Sequence, residues 1–377
     1  MKAASKTPLE AAFPLFKDIM DPLALQQKLS PLFKPFSGIY GTVMRVRRTL
    51  RERSPSRYVC PSPCVSIGNI AWGGTGKTPL VEWLMHWATA EKLRAVVLSR
   101  GYRAKLRKPP VHILPEHRPE DVGDEPLMLA HSCPHVPVIV DPVRRRSAAY
   151  AAQTFAPQLI FLDDGFQHVA LARDVDLVLL RPEDLHDQWN KVIPAGSWRE
   201  SASALERAGA FLIKCRPELF ASLHQPIRQR LEQYKKPVFN FFLEPQALRP
   251  VNGYGTDLPL FPAQPPYTLL TGVAQPEQVR QTVTTFLGYA PETCLFRPDH
   301  HAYSADEVRS LTENGKRIIC TAKDAVKLRQ YSVPNFWYLH TSVAFGHGMW
   351  TDQTFPEWWN AWWQQTAQHP TQQDVPS

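Results

Sequence analysis

The chain has 377 residues, 44% of them hydrophobic, with 36 prolines, six cysteines and a formal net charge of +8. Such a length predicts about two domains with real cores, and no apolar run reaches the roughly 18 residues that a membrane-crossing helix requires. The cysteines at 60, 64, 133, 215, 294 and 320 form no Cys-x-x-Cys pair, which excludes a zinc or disulfide framework and fits a reducing compartment, while the basic balance points to nucleic acid, a phosphorylated substrate or an anionic membrane.

The N-terminus lacks the basic, apolar, small-residue order of a signal peptide, and residues 1–30 read as a loose helical extension. From Leu32 onward, Leu32, Phe33, Phe36, Ile39, Tyr40, Val43, Met44 and Leu50 fall near helical spacing. The same segment carries Arg45, Arg47, Arg48, Arg51, Arg53 and Arg57 against Glu52 alone. Two readings stay open: a basic amphipathic helix lying in the headgroup layer of an anionic membrane, or a helix packed on its own domain with a solvated basic face.

The stretch that organises the chain follows. Residues 65–67 read as a buried strand. A loop then carries Gly73, Gly74, Thr75 and Gly76, Lys77-Thr78 comes next, and an apolar pattern of helical period runs through Leu80, Val81, Leu84, Met85 and Trp87. Strand, glycine loop with Gly-Lys-Thr, and helix make a phosphate-binding loop. The glycines let backbone N–H groups turn toward phosphate oxygens at a helix N-terminus. Lys77 would reach the β- and γ-phosphates, and the Thr78 hydroxyl would sit on Mg²⁺. The loop departs from the strict pattern at one position, Ala71, where a glycine is usual.

Further strands are expected at 95–99, 111–114, 136–140, 159–162, 175–180, 211–214 and 238–243, with helices at 124–130, 143–154 and 225–234. Short apolar strands alternating with helices predict an α/β domain with a mostly parallel sheet, whose ligands sit at the strands' carboxyl ends. Residues 244–266 are rich in proline and glycine and read as a connection, a β-ribbon hinge. A second α/β unit follows, with strands at 267–271, 317–320 and 336–339 and helices at 276–286, 305–313 and 356–365. The Trp358, Trp359, Trp362 and Trp363 pairs in the last helix read as packing. The expected domains are therefore 1–57, an extension with the basic amphipathic helix; 58–243, a kinase-like core; 244–266, the hinge; and 267–377, a smaller C-terminal unit.

Three clusters carry chemistry. Asp163-Asp164-Gly165-Phe166-Gln167-His168 closes an apolar strand with carboxylates, as a Mg²⁺-ATP site needs opposite its phosphate loop. Asp124 and Glu125 open a helix, where they complement its dipole, and Asp124 is also a candidate to accept an acceptor hydroxyl's proton. Of Arg144, Arg145 and Arg146, one inward-facing guanidinium would stabilise charge on a transferred phosphoryl group. In the second unit, Asp299-His300-His301 reads as a hydrogen-bonded Asp–His arrangement rather than a metal site.

These residues resemble the tetraacyldisaccharide 4′-kinase family, the lipid A kinases of Gram-negative bacteria. The resemblance is carried from Leu32 to Phe345 by Ser66-Ile67-Gly68-Asn69-Ile70 with Gly73 to Pro79, Leu98 to Tyr102, Gly123 to Pro126, Asp163 to His168, Pro194-Ala195-Gly196 with Arg199-Glu200, Leu270 to Ala274, Asp299-His300-His301, and Lys323 to Lys327. It implies ATP-dependent phosphorylation of the 4′-hydroxyl of an acylated glucosamine disaccharide 1-phosphate. It implies two α/β/α domains, the first of phosphate-loop NTPase type, joined by a β-ribbon hinge. It also implies a peripheral protein on the cytoplasmic face of the bacterial inner membrane, held by the basic helix. By motif, Asp124 is implied as the base, with His300 or His301 as its partner. Lys77, Thr78 and Arg144 are implied at the phosphates, and Thr78, Glu125, Asp163 and Asp164 around Mg²⁺. Arg100, Tyr102, Gln167, His168 and Glu200 are implied at the substrate. The chain departs from the family's usual residues at Gln188-Trp189-Asn190, Ser201 and Ala322. Two other readings compete: a kinase of a soluble sugar or nucleotide, which does not require the N-terminal helix, and a membrane-associated switch ATPase, which has no use for Asp124 or the Asp-His-His motif. A nucleic-acid partner rests on net charge alone and ranks last.

Overall fold

The computed structural model describes residues 22–102, 104–253, 265–313 and 315–368. The chain begins there with α1 (Pro22–Glu52), followed by β1 (Cys64–Asn69), α2 (Lys77–Ala90), β2 (Ala95–Ser99), β3 (Val111–His112), α3 (Pro119–Val122), α4 (Asp124–Ser132), β4 (Val138–Val140), α5 (Arg144–Phe155), β5 (Leu159–Asp163) and β6 (Val175–Leu180). After these come β7 (Ala208–Lys214), α6 (Pro217–Ser222), α7 (His224–Leu231) and the long β8 (Val238–Pro250). The remainder is β9 (Tyr267–Thr271), α8 (Pro276–Leu287), β10 (Thr293–Phe296), α9 (Ala305–Glu313), β11 (Arg317–Thr321), α10 (Ala322–Leu328), β12 (Phe336–Phe345) and α11 (Phe355–Gln368).

The strands form one sheet in the order β10-β9-β11-β12-β8-β7-β6-β1-β5-β2-β4-β3. Its ladders are parallel except for β3 with β4 and β8 with β12. β1, β2, β5 and β6 are buried along their whole length. Their near-continuous apolar sequences follow from this, since a parallel sheet is covered by helices on both faces. Side chains such as Ile67 and Phe161, fully buried here, each contribute about 1.5–3 kcal/mol through the hydrophobic effect. The α/β fold class inferred from the sequence stands.

β8 and β12 connect the two parts of the sheet. Residues 238–241 of β8 run parallel to β7, and residues 241–250 run antiparallel to β12. The first residues of β12 pair with β11 in turn. Among the described residues one edge of β8 has no ladder beyond Phe241, so Pro245 and Pro250 remove no hydrogen bond there. The strand expected at 238–243 thus runs on through the first part of the stretch read as a hinge, and residues 254–264 of that stretch lie outside the described residues.

Two boundaries differ from expectation. Helix α1 starts at Pro22, within the presumed loose extension, and residues 1–21 lie outside the described ones. α11, assigned from sequence order to the C-terminal unit, packs instead on the first one. Its Phe355 and Trp359 are fully buried in a core shared with Leu80, Leu84 and Phe161, and Trp359 meets Trp87 of α2 edge-on at 5.2 Å between ring centroids. Burial of these large rings outweighs sequence proximity to the second unit. The tryptophans are packing residues, as their spacing suggested.

α1 has two faces. One docks on the first unit: Ser30 is buried, Ser37 Oγ donates to Val192 O at 2.8 Å and accepts from Ala195 N at 2.9 Å, and Arg48 pairs with Glu200 at 3.6 Å. The other carries Leu32, Phe36, Ile39, Val43, Val46 and Leu50, which are 52–70% exposed, next to exposed Arg45, Arg47 and Arg51. The two readings left open by the sequence therefore describe opposite sides of one helix.

Candidate active site

The carboxyl ends of β1, β5, β2 and β4 lie side by side, with Ile67 opposite Asp163, Leu98 opposite Leu162 and Ser99 opposite Val140. This register gathers the phosphate loop, Asp163 and Ser99 at one edge. Gly73 and Gly76 adopt φ of +102° and +86°, a region open to glycine, and a Cβ on Gly76 would lie 2.9 Å from the Phe241 ring. No side chain caps the N-terminus of α2, so its first N–H groups face outward, as a phosphate requires. Ala71, the departure from the strict loop pattern, is fully buried and bridges Trp198. Gly68 and Gly165 have structural roles, since a Cβ on either would collide with Phe166 or Ser66 respectively.

Lys77 Nζ donates to Asn69 Oδ1 at 3.2 Å and lies 3.7 Å from Asp164. Thr78 Oγ1 donates to Glu125 Oε2 at 2.8 Å. Asp163 accepts from Ser99 Oγ at 2.7 Å, while its Oδ1 is buried with no partner. Burial first, and then the charge of Glu125, push the Asp163 carboxyl up to about 6. An orphaned, buried carboxylate oxygen near a threonine hydroxyl and a second carboxylate fits Mg²⁺, which needs only one or two protein carboxylates besides water and phosphate. No cluster of three His, Cys, Asp or Glu side chains suited to a metal occurs among the described residues.

Asp164 differs from its neighbour. Its φ is +53°, and both oxygens accept from Arg199, NH1 and NH2 each at 3.0 Å. Burial alone would raise its carboxyl, but Lys77 and Arg199 hold it far below the usual carboxylate range. Asp164, expected around the metal, is therefore neutralised by two cations, because the left-handed backbone turns it toward Arg199. Arg199 also donates to Asn69 O at 3.1 Å and to Asn69 Oδ1. It ties the phosphate loop strand to the aspartate pair, a role invisible in its sequence position.

Arg144 is buried, with NH1 donating to Asp141 O at 2.7 Å and NH2 to Asp163 O at 2.9 Å. It is the inward-facing member of its triplet, and Arg146 pairs with Asp141 instead. Burial, only partly offset by Asp163, lowers Arg144 to about 10. His168 is lowered to about 3 by burial first and then by the Arg144 charge, with Arg100 adding to it. Arg100 and Arg144 thus make a positive side wall, with a neutral His168 ring beside them. Gln167 Nε2 donates to Asn69 O at 3.0 Å, behind the loop. Glu200, expected at the substrate, is buried and paired with Arg207 at 3.2 Å and with Arg48 of α1. These partners give it a docking role for the helix.

Asp124 opens α4, and His300 follows β10 in the other unit. His300 Nδ1 lies 3.2 Å from Asp124 Oδ2, and Lys327 Nζ lies 3.9 Å from the same oxygen. Tyr102, largely exposed, has its ring 5.9 Å from that of His300. His301 does not join them: its Nε2 is 2.9 Å from Glu307 Oε2. Consecutive side chains on a turn diverge, so only one histidine of the pair can face the cleft. Lys323 reaches both Asp299 and His300, at 2.8 and 3.3 Å. Lys327 is held by His301 O at 3.0 Å and by Asp324 at 3.5 Å. Asp324 is itself buried and accepts from Gly272 N, Tyr303 Oη and Thr321 Oγ1. Asn69, Ser99, Arg199, Lys323 and Lys327 are site residues that the sequence reading left without a role. The spacing of Lys323 and Lys327, four apart on one helix, was the available signal for two of them.

Chemically, a loop built for phosphate, an acidic pocket, a basic wall and a carboxylate paired across two units can carry phosphoryl transfer to a hydroxyl. Residues 29–355 match the family model of tetraacyldisaccharide-1-P 4′-kinase. A tetraacyldisaccharide 4′-kinase of Nitratidesulfovibrio vulgaris is 48% identical over 345 residues, covering 91% of this chain and 97% of that protein. One from Oleidesulfovibrio alaskensis is 46% identical, covering 92% and 99%. A crystal structure of LpxK from Aquifex aeolicus in complex with ATP superposes with a TM-score of 0.69 at 29% identity, covering 84% of this chain and 95% of that one. These matches favour neither a kinase of soluble sugars nor a switch ATPase. With the phosphate loop, the aspartate pair and the Asp124–His300 contact all in place, the chain belongs to the tetraacyldisaccharide-1-P 4′-kinase family, whose members are phosphotransferases acting on an alcohol group.

Proposed function

We propose that the chain transfers the γ-phosphoryl group of ATP to the 4′-hydroxyl of tetraacyldisaccharide 1-phosphate, a step of lipid A biosynthesis, with Asp124 taking the hydroxyl proton. The observation that carries this reading is the bond from His300 to Asp124, which joins the two units beside the phosphate loop. Lys77 and the N-terminus of α2 receive the β- and γ-phosphates. Arg144, Arg100 and His168 line the side where negative charge moves, and Tyr102 stands at the mouth. Asp124 lies in the first turn of α4, where its side chain complements the helix dipole. His300 orients it. Thr78, Glu125 and Asp163 would hold Mg²⁺, which when bound neutralises phosphate oxygens.

The acceptor is a lipid, and α1 supports a bilayer as its source. No helix among the described residues is long and apolar enough to cross a membrane. The exposed apolar stripe of α1 with Arg45, Arg47 and Arg51 fits the interface of an anionic leaflet, consistent with a peripheral place on the cytoplasmic face of the inner membrane. Transfer of label from γ-labelled ATP to disaccharide 1-phosphate, with and without acyl chains, tests the reading. Labelling of neither acceptor by the wild-type protein would overturn it.

A further inference from the structure

We propose that Lys214 is a second cation of the phosphate loop, binding the α- and β-phosphate oxygens that ATP shares with ADP. The inference rests on the reading of ATP as the donor and names a residue for the part of it that is not transferred. β7, β6 and β1 are neighbours and run parallel. Lys214, the last residue of β7, therefore shares the sheet's carboxyl edge with the loop. Its side chain lies against the turn that opens α2, because a Cβ on Gly76 would fall 3.1 Å from Lys214 Cδ. Gly76 precedes α2 and no side chain caps that helix, so the ammonium beyond Cδ stands beside N–H groups that also call for an anion. Among the described residues Lys214 makes no hydrogen bond and no ion pair. Burial alone lowers its ammonium from the usual lysine value. A cation drawn partly out of water without an anion is unfavourable, and a bound phosphate supplies the missing charge.

The two sides of the loop differ, and this decides which phosphates Lys214 meets. Asp163 ends β5, which lies on the opposite side of β1 from β6 and β7. Lys77 leans toward β5 as well, 3.7 Å from Asp164. The transferred group belongs on that side, with the acidic pocket. A polyphosphate whose γ-end meets Lys77 and whose β-phosphate sits at the start of α2 must leave the loop toward β6 and β7. Arg181, which follows β6, also approaches the loop there, with NH1 3.4 Å from a Cβ on Gly73. Asp184 neutralises it at 2.8 Å. Lys214 is the partly buried cation on this side that no carboxylate among the described residues offsets.

The test compares the full chain as wild type, Lys214→Met and Lys214→Arg. Titration calorimetry with Mg²⁺-ADP should show affinity weakened by about 10–10²-fold in Lys214→Met, the range for one hydrogen bond to a charged group. Lys214→Arg, which keeps the charge, should recover most of it. The KM for ATP should rise with the loss of ADP affinity, while kcat at saturating ATP stays near the wild-type value, because the γ-phosphate keeps its own contacts. Melting without nucleotide separates binding from a structural role. Methionine keeps the apolar stem and removes the unpaired charge, so the nucleotide-free melting temperature should hold or rise. The increment that ADP adds should shrink. Wild-type ADP affinity in Lys214→Met overturns the proposal, as does a lower nucleotide-free melting temperature in that variant. A raised KM for the disaccharide 1-phosphate with ADP affinity unchanged also overturns it, by assigning Lys214 to the acceptor's phosphate. Failure of the proposed function reads out separately, as a wild-type protein that labels neither acceptor yet binds ADP more tightly than Lys214→Met.

Discussion

The outer stripe of α1 gives the most direct test of how the protein meets its lipid acceptor. Phe36 and Ile39 are 61% and 66% exposed, so replacing them should not disturb the fold. Full burial of such side chains is worth about 1.5–3 kcal/mol each. Scaled to the exposed fraction, the pair supplies about 2–4 kcal/mol on entering an interface. At 1.4 kcal/mol per tenfold, Phe36→Asn with Ile39→Asn should weaken binding to anionic phospholipid vesicles by about 30- to 500-fold. Co-sedimentation measures this directly. Turnover of a short-chain, water-soluble acceptor should stay at the wild-type level, and the melting temperature should not move. Arg48→Gln is the internal comparison. Because Arg48 pairs inward with Glu200, it should lower stability and leave vesicle affinity near normal. Unchanged vesicle binding by the double variant, with its fold intact, would refute the assignment of this face to a membrane.

Arg199→Met should destabilise the protein by about 2 kcal/mol, since it strips a partly buried Asp164 of its bidentate partner. It should also raise the KM for ATP, because Lys77 becomes the remaining cation beside Asp164, and both effects are read by urea melts and steady-state kinetics. Asp124→Asn should lower kcat by about 10²–10⁴-fold with little change in ATP affinity, and full retained kcat would reduce Asp124 to a helix cap. Burial, and then the charge of Arg329, lower His131 to about 4. This favours the neutral ring in the folded state, so the stability it contributes is complete above about 6.5 and is lost as pH falls through 4, in all about 3 kcal/mol at 1.4 kcal/mol per unit. His131→Gln should shrink the difference between urea melts at pH 7 and pH 4 by that order.

The parts of the site legible in the sequence were those where one short segment does the work. Gly73 to Thr78 and Asp163 to His168 announce strand ends carrying phosphate and metal chemistry, because their spacing is set by a single turn. Arg199 was not legible as the partner of Asp164, since the two are 35 positions apart and meet only through loop packing. Which histidine faces Asp124 depended on the backbone of a turn, and periodicity does not report that. In the fold, β10 escaped notice as a four-residue, half-exposed edge strand without an alternating pattern. The far half of β8 was hidden by Pro245 and Pro250, whose usual meaning as strand breakers is suspended on an unpaired edge. The docking of α11 on α2 depends on tertiary burial of Trp359, which its own helical periodicity anticipates only as an apolar face.

The ribbon of β8 and β12 also says something about how such a chain is assembled. Pro250 on the outgoing strand stands opposite Trp337 on the returning one, and the returning chain then completes the larger core through Phe355 and Trp359. The smaller unit is therefore an insertion: it leaves and re-enters its host at adjacent residues. A module whose ends already touch can be exchanged without opening the host core, because the host needs only a closed hairpin at that point. Residues 251–335 carry His300, Lys323 and Lys327, so exchanging that segment between relatives would transplant the proton-handling half of the site onto a fixed nucleotide-binding half.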